Sequence, residues 1–198
     1  MRADQGKQKL SSNHLKGPGC SGSRSRNTAR TKLPKGKTVS ESEAEMMEVV
    51  LPNDANPLGN ILGGKVMHLI DMAGAIAAHR HSQSLVVTAS VDSLDFLHPI
   101  RVGQLIVLRA KVTRAFSTSM EVEVRVYLED YLTGEHRQTS SAFVTYVALG
   151  EDGQPKRVPP LVPRTAEEKR RYREALSRRR RRLALAARTH HRFFEAKK

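Results

Sequence analysis

Residues 63–80 read GGKVMHLIDMAGAIAAHR, and the reading of this stretch decides the fold. Between Lys65 and Arg80 every residue is apolar, small or histidine, except Asp71. A helix that is apolar almost all round is normally buried. A lone carboxylate inside such a helix is costly unless it is paired or put to use. Val66, Leu69, Ile70, Ala73 and Ala77 fall on one face, while Met67, Asp71, Gly74 and Ala78 form a second stripe of mostly small residues. Small residues there let a ligand or another backbone come close. The preceding segment, PNDANPLGN (52–60), has the Pro, Asn, Asp and Gly content of a loop, and EMMEVVL (45–51) reads as a first strand.

Four strand-like stretches follow the helix, at 85–96, 104–116, 120–129 and 140–149. The third, MEVEVRVYLE, alternates most clearly: Met120, Val122, Val124, Val126 and Leu128 on one face, Glu121, Glu123, Arg125 and Glu129 on the other. Thr133-Gly134 marks a hairpin turn. An antiparallel meander with one apolar face needs a cover, and the only long apolar element available is the 63–80 helix. The expected fold is therefore α+β, an antiparallel sheet wrapped around one long central helix, the hotdog arrangement. One such unit leaves part of its helix uncovered, and a dimer with sheets joined edge to edge and helices side by side is the remedy.

Charge divides the chain into three parts. Residues 1–40 carry a net charge of +9, residues 41–163 of −5, and residues 164–198 of +10. The expected organisation is a basic disordered N-terminal tail (1–40), the hotdog domain (41–163) and an Arg-rich, partly helical C-terminal tail (164–198). That last tail opens with a capping-box pattern, Thr165-x-x-Glu168. It shows no apolar stripe, and Arg178 to Arg182 are expected to repel one another and fray. Binding of nucleic acid or acidic membrane lipid through the tails is the sharper alternative to simple solvation. The single cysteine, Cys20, excludes an intramolecular disulfide, and no Cys/His spacing suggests zinc. No run approaches the ~18 apolar residues of a membrane span, and the N-terminus lacks a signal-peptide core. A cytoplasmic protein fits these features.

The chemistry points to Asn56, Gly63-Gly64 and Asp71. Amides at a helix start carry the positive end of the helix dipole and suit an anion or a developing oxyanion. Asp71 suits a general base toward water, or a nucleophile. Gly63 and Asp71 lie roughly 12 Å apart along a helix axis, so they do not serve one carbonyl within one subunit. With two antiparallel helices in a dimer, Asp71 of one subunit faces Gly63-Gly64 of the other. Asp92 and Asp95 are weaker candidates, and His68, His79 and His81 lack a carboxylate or cysteine to complete a metal set.

NPLGNILGGKVMHLIDMAGAIAAHRH, followed by VVTASVDSLDFLHPIRVGQL, STSMEVEVRV and SAFVTYVAL, resembles the acyl-CoA thioesterase family with a hotdog domain, over about residues 47–160. The resemblance implies hydrolysis of acyl-CoA to free CoA and a carboxylic acid, with no metal or organic cofactor. It implies Asp71 as the catalytic carboxylate, Asn56 as the residue orienting water or thioester, and the Gly63 and Gly64 amides as the oxyanion site. It implies assembly as a homodimer or a hexamer, a trimer of dimers. Where the family has Gly followed by Arg or Lys ahead of its Thr-Ser-Met segment, this chain has Phe116-Ser117. Ser117, Thr118 and Ser119 fall in the family's CoA-binding region, with Lys111 or Arg114 left to supply positive charge for the CoA phosphates. The runner-up is a non-catalytic hotdog module that binds or senses acyl-CoA. A hotdog dehydratase is disfavoured, because the histidine of such sites has no counterpart in this helix region.

Overall fold

The computed structural model describes residues 35–195, with side chains to residue 187. The N-terminal arm up to residue 34, with Cys20, and the side chains of Phe193 and Phe194 lie outside the described residues. The elements run β1 (Lys37–Thr38), β2 (Ala44–Val49), α1 (Gly63–Ser82), β3 (Leu85–Phe96), β4 (Leu105–Ala115), β5 (Ser119–Glu129), β6 (His136–Leu149), β7 (Leu161–Val162) and α2 (Ala166–Glu195). Five strands form one antiparallel sheet in the order β2-β4-β5-β6-β3, with α1 packed on one face. This is the hotdog fold expected from the alternating strands and the apolar helix.

The alternation of β5 explains the core. Met120, Val122, Val124 and Val126 are fully buried beneath Val66, Leu69, Ile70, Ala73 and Ala77 of α1. Fully burying a side chain of this size stabilises by about 1.5–3 kcal/mol. The opposite side of α1 is open, with Met67, Asp71, Met72 and Ile76 exposed. β3 is an edge strand bonded only to β6, and Leu85, Val87, Val91 and Phe96 along it are exposed. The helix is therefore half covered rather than buried all round.

Two features depart from the tail expectations. Lys37–Thr38, within the stretch expected to be a disordered tail (1–40), pairs in parallel with Leu161–Val162 at the end of the 41–163 domain. More consequentially, α2 docks on the outer face of the sheet. Glu121 and Glu123, on the polar face of β5, are 1% and 7% exposed. The face that α2 presents is charged: Arg171 pairs with Glu123, Arg178 with Glu121 at 2.8 Å, and Arg182 with Asp92. Together with the buried Ala175 these residues lie four, three and four positions apart, one stripe of an α-helix. Arg178 also lies over the Phe143 ring, 3.7 Å from its centroid. The arginines do repel one another, but the carboxylates beneath them and the stacking ring offset that repulsion. The Thr165/Glu168 capping box is made in both directions, each bond 3.1 Å.

His81, at the end of α1, is fully buried. One ring nitrogen faces the Pro159 carbonyl at 2.9 Å and the other the Ser42 hydroxyl at 3.3 Å, joining the helix to both flanking segments. Desolvation lowers its pKa, and nearby Lys37 acts in the same direction, so the ring is held neutral.

Two outcomes follow from this packing. Arg178→Ala strands a buried carboxylate and is expected to lower stability by about 3–5 kcal/mol in urea unfolding, whereas Arg178→Met with Glu121→Gln recovers most of the loss. Because the folded pKa of His81 lies below its unfolded value, its contribution is fully present above that unfolded value and is lost as pH falls through the folded one. His81→Gln should flatten that part of the stability–pH curve measured by thermal unfolding.

Candidate functional site

The carboxylate of Asp71 sits over a row of residues that crosses the sheet at one end. Thr88 on β3 pairs with Tyr146 on β6, and Tyr146 pairs with Met120 on β5. The Thr88 hydroxyl donates to Asp71 Oδ1 at 2.6 Å, and the Tyr146 hydroxyl lies 3.0 Å from the Asp71 carbonyl and 3.3 Å from Oδ1. One carboxylate oxygen is thereby fixed, while Oδ2 has no partner among the described residues. Burial raises the Tyr146 pKa, and the neighbouring Asp71 charge adds to it, so this hydroxyl stays protonated and remains a donor.

Gly74 makes that arrangement possible. A Cβ there would stand 2.3 Å from the Tyr146 hydroxyl oxygen. The small second stripe of α1 thus admits a tyrosine of the same chain. Gly63 and Gly64 are different. Neither has a positive φ, and an added Cβ would meet only Phe96 at 3.6 Å in one case and nothing in the other. Nothing among the described residues requires glycine at either position.

The backbone at the start of α1 is unsatisfied. The amides of Lys65 and Val66 both donate to the Leu62 carbonyl, and Leu62 provides no side-chain cap. The Gly63 and Gly64 amides have no acceptor among the described residues. They carry the positive end of a 20-residue helix toward open space. Asn56 holds the adjoining loop, its Oδ1 accepting from the Leu58 and Asn60 amides at 3.0 and 3.2 Å. Its amide nitrogen has no partner among the described residues.

The subunit does not gather all four residues into one cavity. Gly64 and Asp71 line a cavity of about 360 Å³ with Met67, Thr88, Val91 and Leu94, a groove between α1 and the edge strand. Asn56 and Gly63 line a separate one of about 330 Å³, beside Phe96 and Ser140. Thr88 and Tyr146 had no local signature, since neither lies in a recognisable motif and their role comes from strand register.

The residues expected near CoA are split as well. Ser117 to Ser119 form the turn between β4 and β5, whose carbonyls accept from Phe116, Ala148 and Val158. Arg114 lies beside this turn. Its Nη1 donates to the Tyr172 carbonyl, and its Nε is buried without a partner among the described residues. Lys111 is elsewhere, paired with Glu43 at 2.7 Å at a cavity of about 380 Å³ on the outer face. Arg125 and Arg171 in that cavity are likewise matched by Glu123. Asp92 is taken up by Arg182, and His79 Nδ1 lies 2.9 Å from the Ser84 carbonyl. Among the described residues no cluster of three His, Cys, Asp or Glu is placed to hold a metal ion.

A sequence model of the Thioesterase superfamily matches residues 58–135. The uncharacterized acyl-CoA thioester hydrolase YkhA of Bacillus subtilis is 41% identical over 135 residues, 68% of this chain and 78% of that protein. The cytosolic acyl coenzyme A thioester hydrolase of Mus musculus is 38% identical over 147 residues, 73% of this chain. The chain spans only 39% of that mouse protein's length. Among solved structures, the acyl-CoA hydrolase of Staphylococcus aureus, in complex with butyryl-CoA, CoA and CoA disulfide, is 36% identical. It superimposes with a TM-score of 0.77 over 82% of this chain and 99% of its own. Its variants with alanine in place of an aspartate, an asparagine or a threonine have also been solved. A hexameric acyl-CoA thioesterase solved without ligand is 45% identical, with a TM-score of 0.74 over 78% of this chain and 99% of its own. By fold and by sequence, the chain belongs to the thioesterase superfamily, with the hotdog fold.

Proposed function

We propose that this protein hydrolyses acyl-CoA thioesters to free CoA and a carboxylic acid, in a site shared by two subunits. The observation that carries the reading is an oriented carboxylate with one free oxygen and two unsatisfied amides at the start of the same helix. At 1.5 Å per residue they stand roughly 10–12 Å apart along its axis, too far to serve one carbonyl within the subunit. Asp71 Oδ2 takes a proton from water, whose oxygen attacks the thioester carbon. The developing oxyanion is held by the Gly63 and Gly64 amides of the other subunit. The tetrahedral species then collapses with loss of the C–S bond, and the proton on Asp71 passes to the leaving CoA thiolate. Asn56 orients the water or the thioester from the same side as the glycines. Thr88 and Tyr146 keep Asp71 in one orientation.

Several observations support this. The three substituted residues of the S. aureus hydrolase have the same separations along that chain as Asn56, Asp71 and Thr88 along this one. Glycine at 63 and 64 answers to no need among the described residues, which fits close approach from outside. The exposed apolar residues of α1 and of edge strand β3 form one surface, and a long apolar edge left unpaired is an aggregation hazard. A second copy, with β3 edges joined and α1 helices antiparallel, covers it. Assembly of such dimers into a hexamer draws on the ligand-free hexameric relative. Arg114 and the turn 117–119 are the parts of this reading closest to the CoA moiety, whereas Lys111 is occupied by Glu43. A cytoplasmic location rests on the name of the mouse relative. A module that only binds acyl-CoA would not need Asp71 held with one oxygen open.

Asp71→Asn keeps the hydrogen bonds but loses the base, and kcat for acyl-CoA hydrolysis is expected to fall about 10²–10⁴-fold in a steady-state assay. An Asn variant as active as the parent would sink the mechanism. Sharing between subunits has its own assay. Gly64→Val and Asp71→Asn are each expected to be inactive alone, but co-expressed chains form mixed dimers with one intact site, recovering about a quarter of parental activity. A site contained within one subunit would give no recovery.

A further inference from the structure

The arginines of α2 fall into two groups. Arg171, Arg178 and Arg182 are matched by carboxylates of the sheet, and Arg170 by Glu167 and Glu174 of its own helix. Arg179 has no carboxylate partner among the described residues. Its guanidinium lies over the ring of Phe116, 4.1 Å from the centroid. Arg114, also without a carboxylate partner among the described residues, is held 5.6 Å from the same ring and 4.0 Å from that of Tyr172. Two guanidinium groups thus converge on one phenyl ring at the β4–β5 turn, with aromatic contacts but no counter-ion among the described residues. Arg114 Nε is buried there with no acceptor among the described residues.

A guanidinium fixed on an aromatic face keeps its N–H edge available and matches phosphate bidentately. Two of them side by side repel until an anion lies between. The place also matters. Met120 pairs with both Ala115 and Tyr146, and the Tyr146 hydroxyl reaches Asp71, so the turn lies just past the row that carries the carboxylate. The turn is where the inner face of the sheet, with Asp71, meets the outer face, with α2.

We infer that Arg179, stacked on Phe116 and acting with Arg114, seats the phosphates of the CoA nucleotide. The inference rests on the acyl-CoA reading above and adds to it a residue from the C-terminal helix. Phe116 is then the platform that holds the cation rather than an obstruction in the turn. The ligand chemistry is a nucleotide phosphate monoester or pyrophosphate, and the acyl chain plays no part in it.

The test uses the full chain, with acyl-CoA turnover and calorimetric binding of adenosine 3′,5′-bisphosphate read side by side. Arg179→Ala is expected to raise KM about tenfold and to weaken bisphosphate binding by the same factor, with kcat held within about twofold. Phe116→Ala should do the same by releasing the guanidinium, and Arg179→Lys should restore only part of the loss. Arg173→Ala, an exposed position on α2, controls for net charge and is expected to change neither readout. If Arg179→Ala and Arg173→Ala are indistinguishable in both readouts, the inference is overturned. Equal weakening of bisphosphate and of inorganic phosphate with no change in KM also overturns it, since the site would then be a general anion seat. Bisphosphate binding that depends on Arg179 in a protein without turnover would overturn the hydrolase reading and leave this inference standing.

Discussion

One sheet covers only one side of a helix. In this chain that constraint is acute, because α1 is apolar on both sides and the single five-stranded sheet takes only the stripe from Val66 to Ala77. The other side presents Met67, Met72 and Ile76 next to the exposed residues of β3. Asp71 lies in the middle of this surface. A carboxylate at the centre of an apolar interface is a poor choice for association alone, since its desolvation opposes assembly. The shared-site proposal accounts for it as a reacting group delivered to a groove that a second copy would complete. Under that proposal the requirement to cover α1 and the requirement to build a site would be met by the same contact.

The outer face of the sheet solves its covering problem with charge. Glu121 and Glu123 alternate with core valines on β5, as a solvated face would, yet α2 buries them with arginines set at helical spacing. Docking by ion pairs gives up some stability relative to an apolar seam, because each charge must lose water. In return it gives register. A helix sliding by one turn over an apolar face loses little, whereas one sliding over fixed carboxylates leaves every charge stranded.

Much of this was legible in the sequence, for physical reasons that also mark where legibility ends. The core strands declare themselves by period-two alternation and α1 by its unbroken apolar run, both local signals. Asn56, Gly63, Gly64 and Asp71 stand out because a loop asparagine, a double glycine and a lone charge are each anomalous where they occur. Thr88 and Tyr146 carry no such anomaly; strand pairing alone brings them to Asp71. The meaning of Gly74 was half legible, a small residue with an unnamed neighbour. α2 does not declare itself as a packed element, because a buried helix face ordinarily shows an apolar stripe, and here the inward stripe is Arg171, Ala175, Arg178 and Arg182. Such a stripe is recognisable only when Glu121, Glu123 and Asp92 are known to lie opposite.

The two covering solutions meet at the β4–β5 turn. Arg178 and Arg179 are consecutive, so on a helix their side chains diverge by about 100°. Once Glu121 and the Phe143 ring fix Arg178 against the sheet, Arg179 is committed to a direction set by helix geometry, and that direction is toward Phe116. The buried pair therefore does more than hold α2 in place: it aims the neighbouring cation. This coupling gives the Arg-rich segment an internal logic that net charge does not reveal. Some arginines are consumed by carboxylates while another, one residue away, is held over Phe116 at the β4–β5 turn without a carboxylate partner among the described residues. A tail selected only for positive charge would have no reason to set Arg171, Arg178 and Arg182 against carboxylates of the sheet.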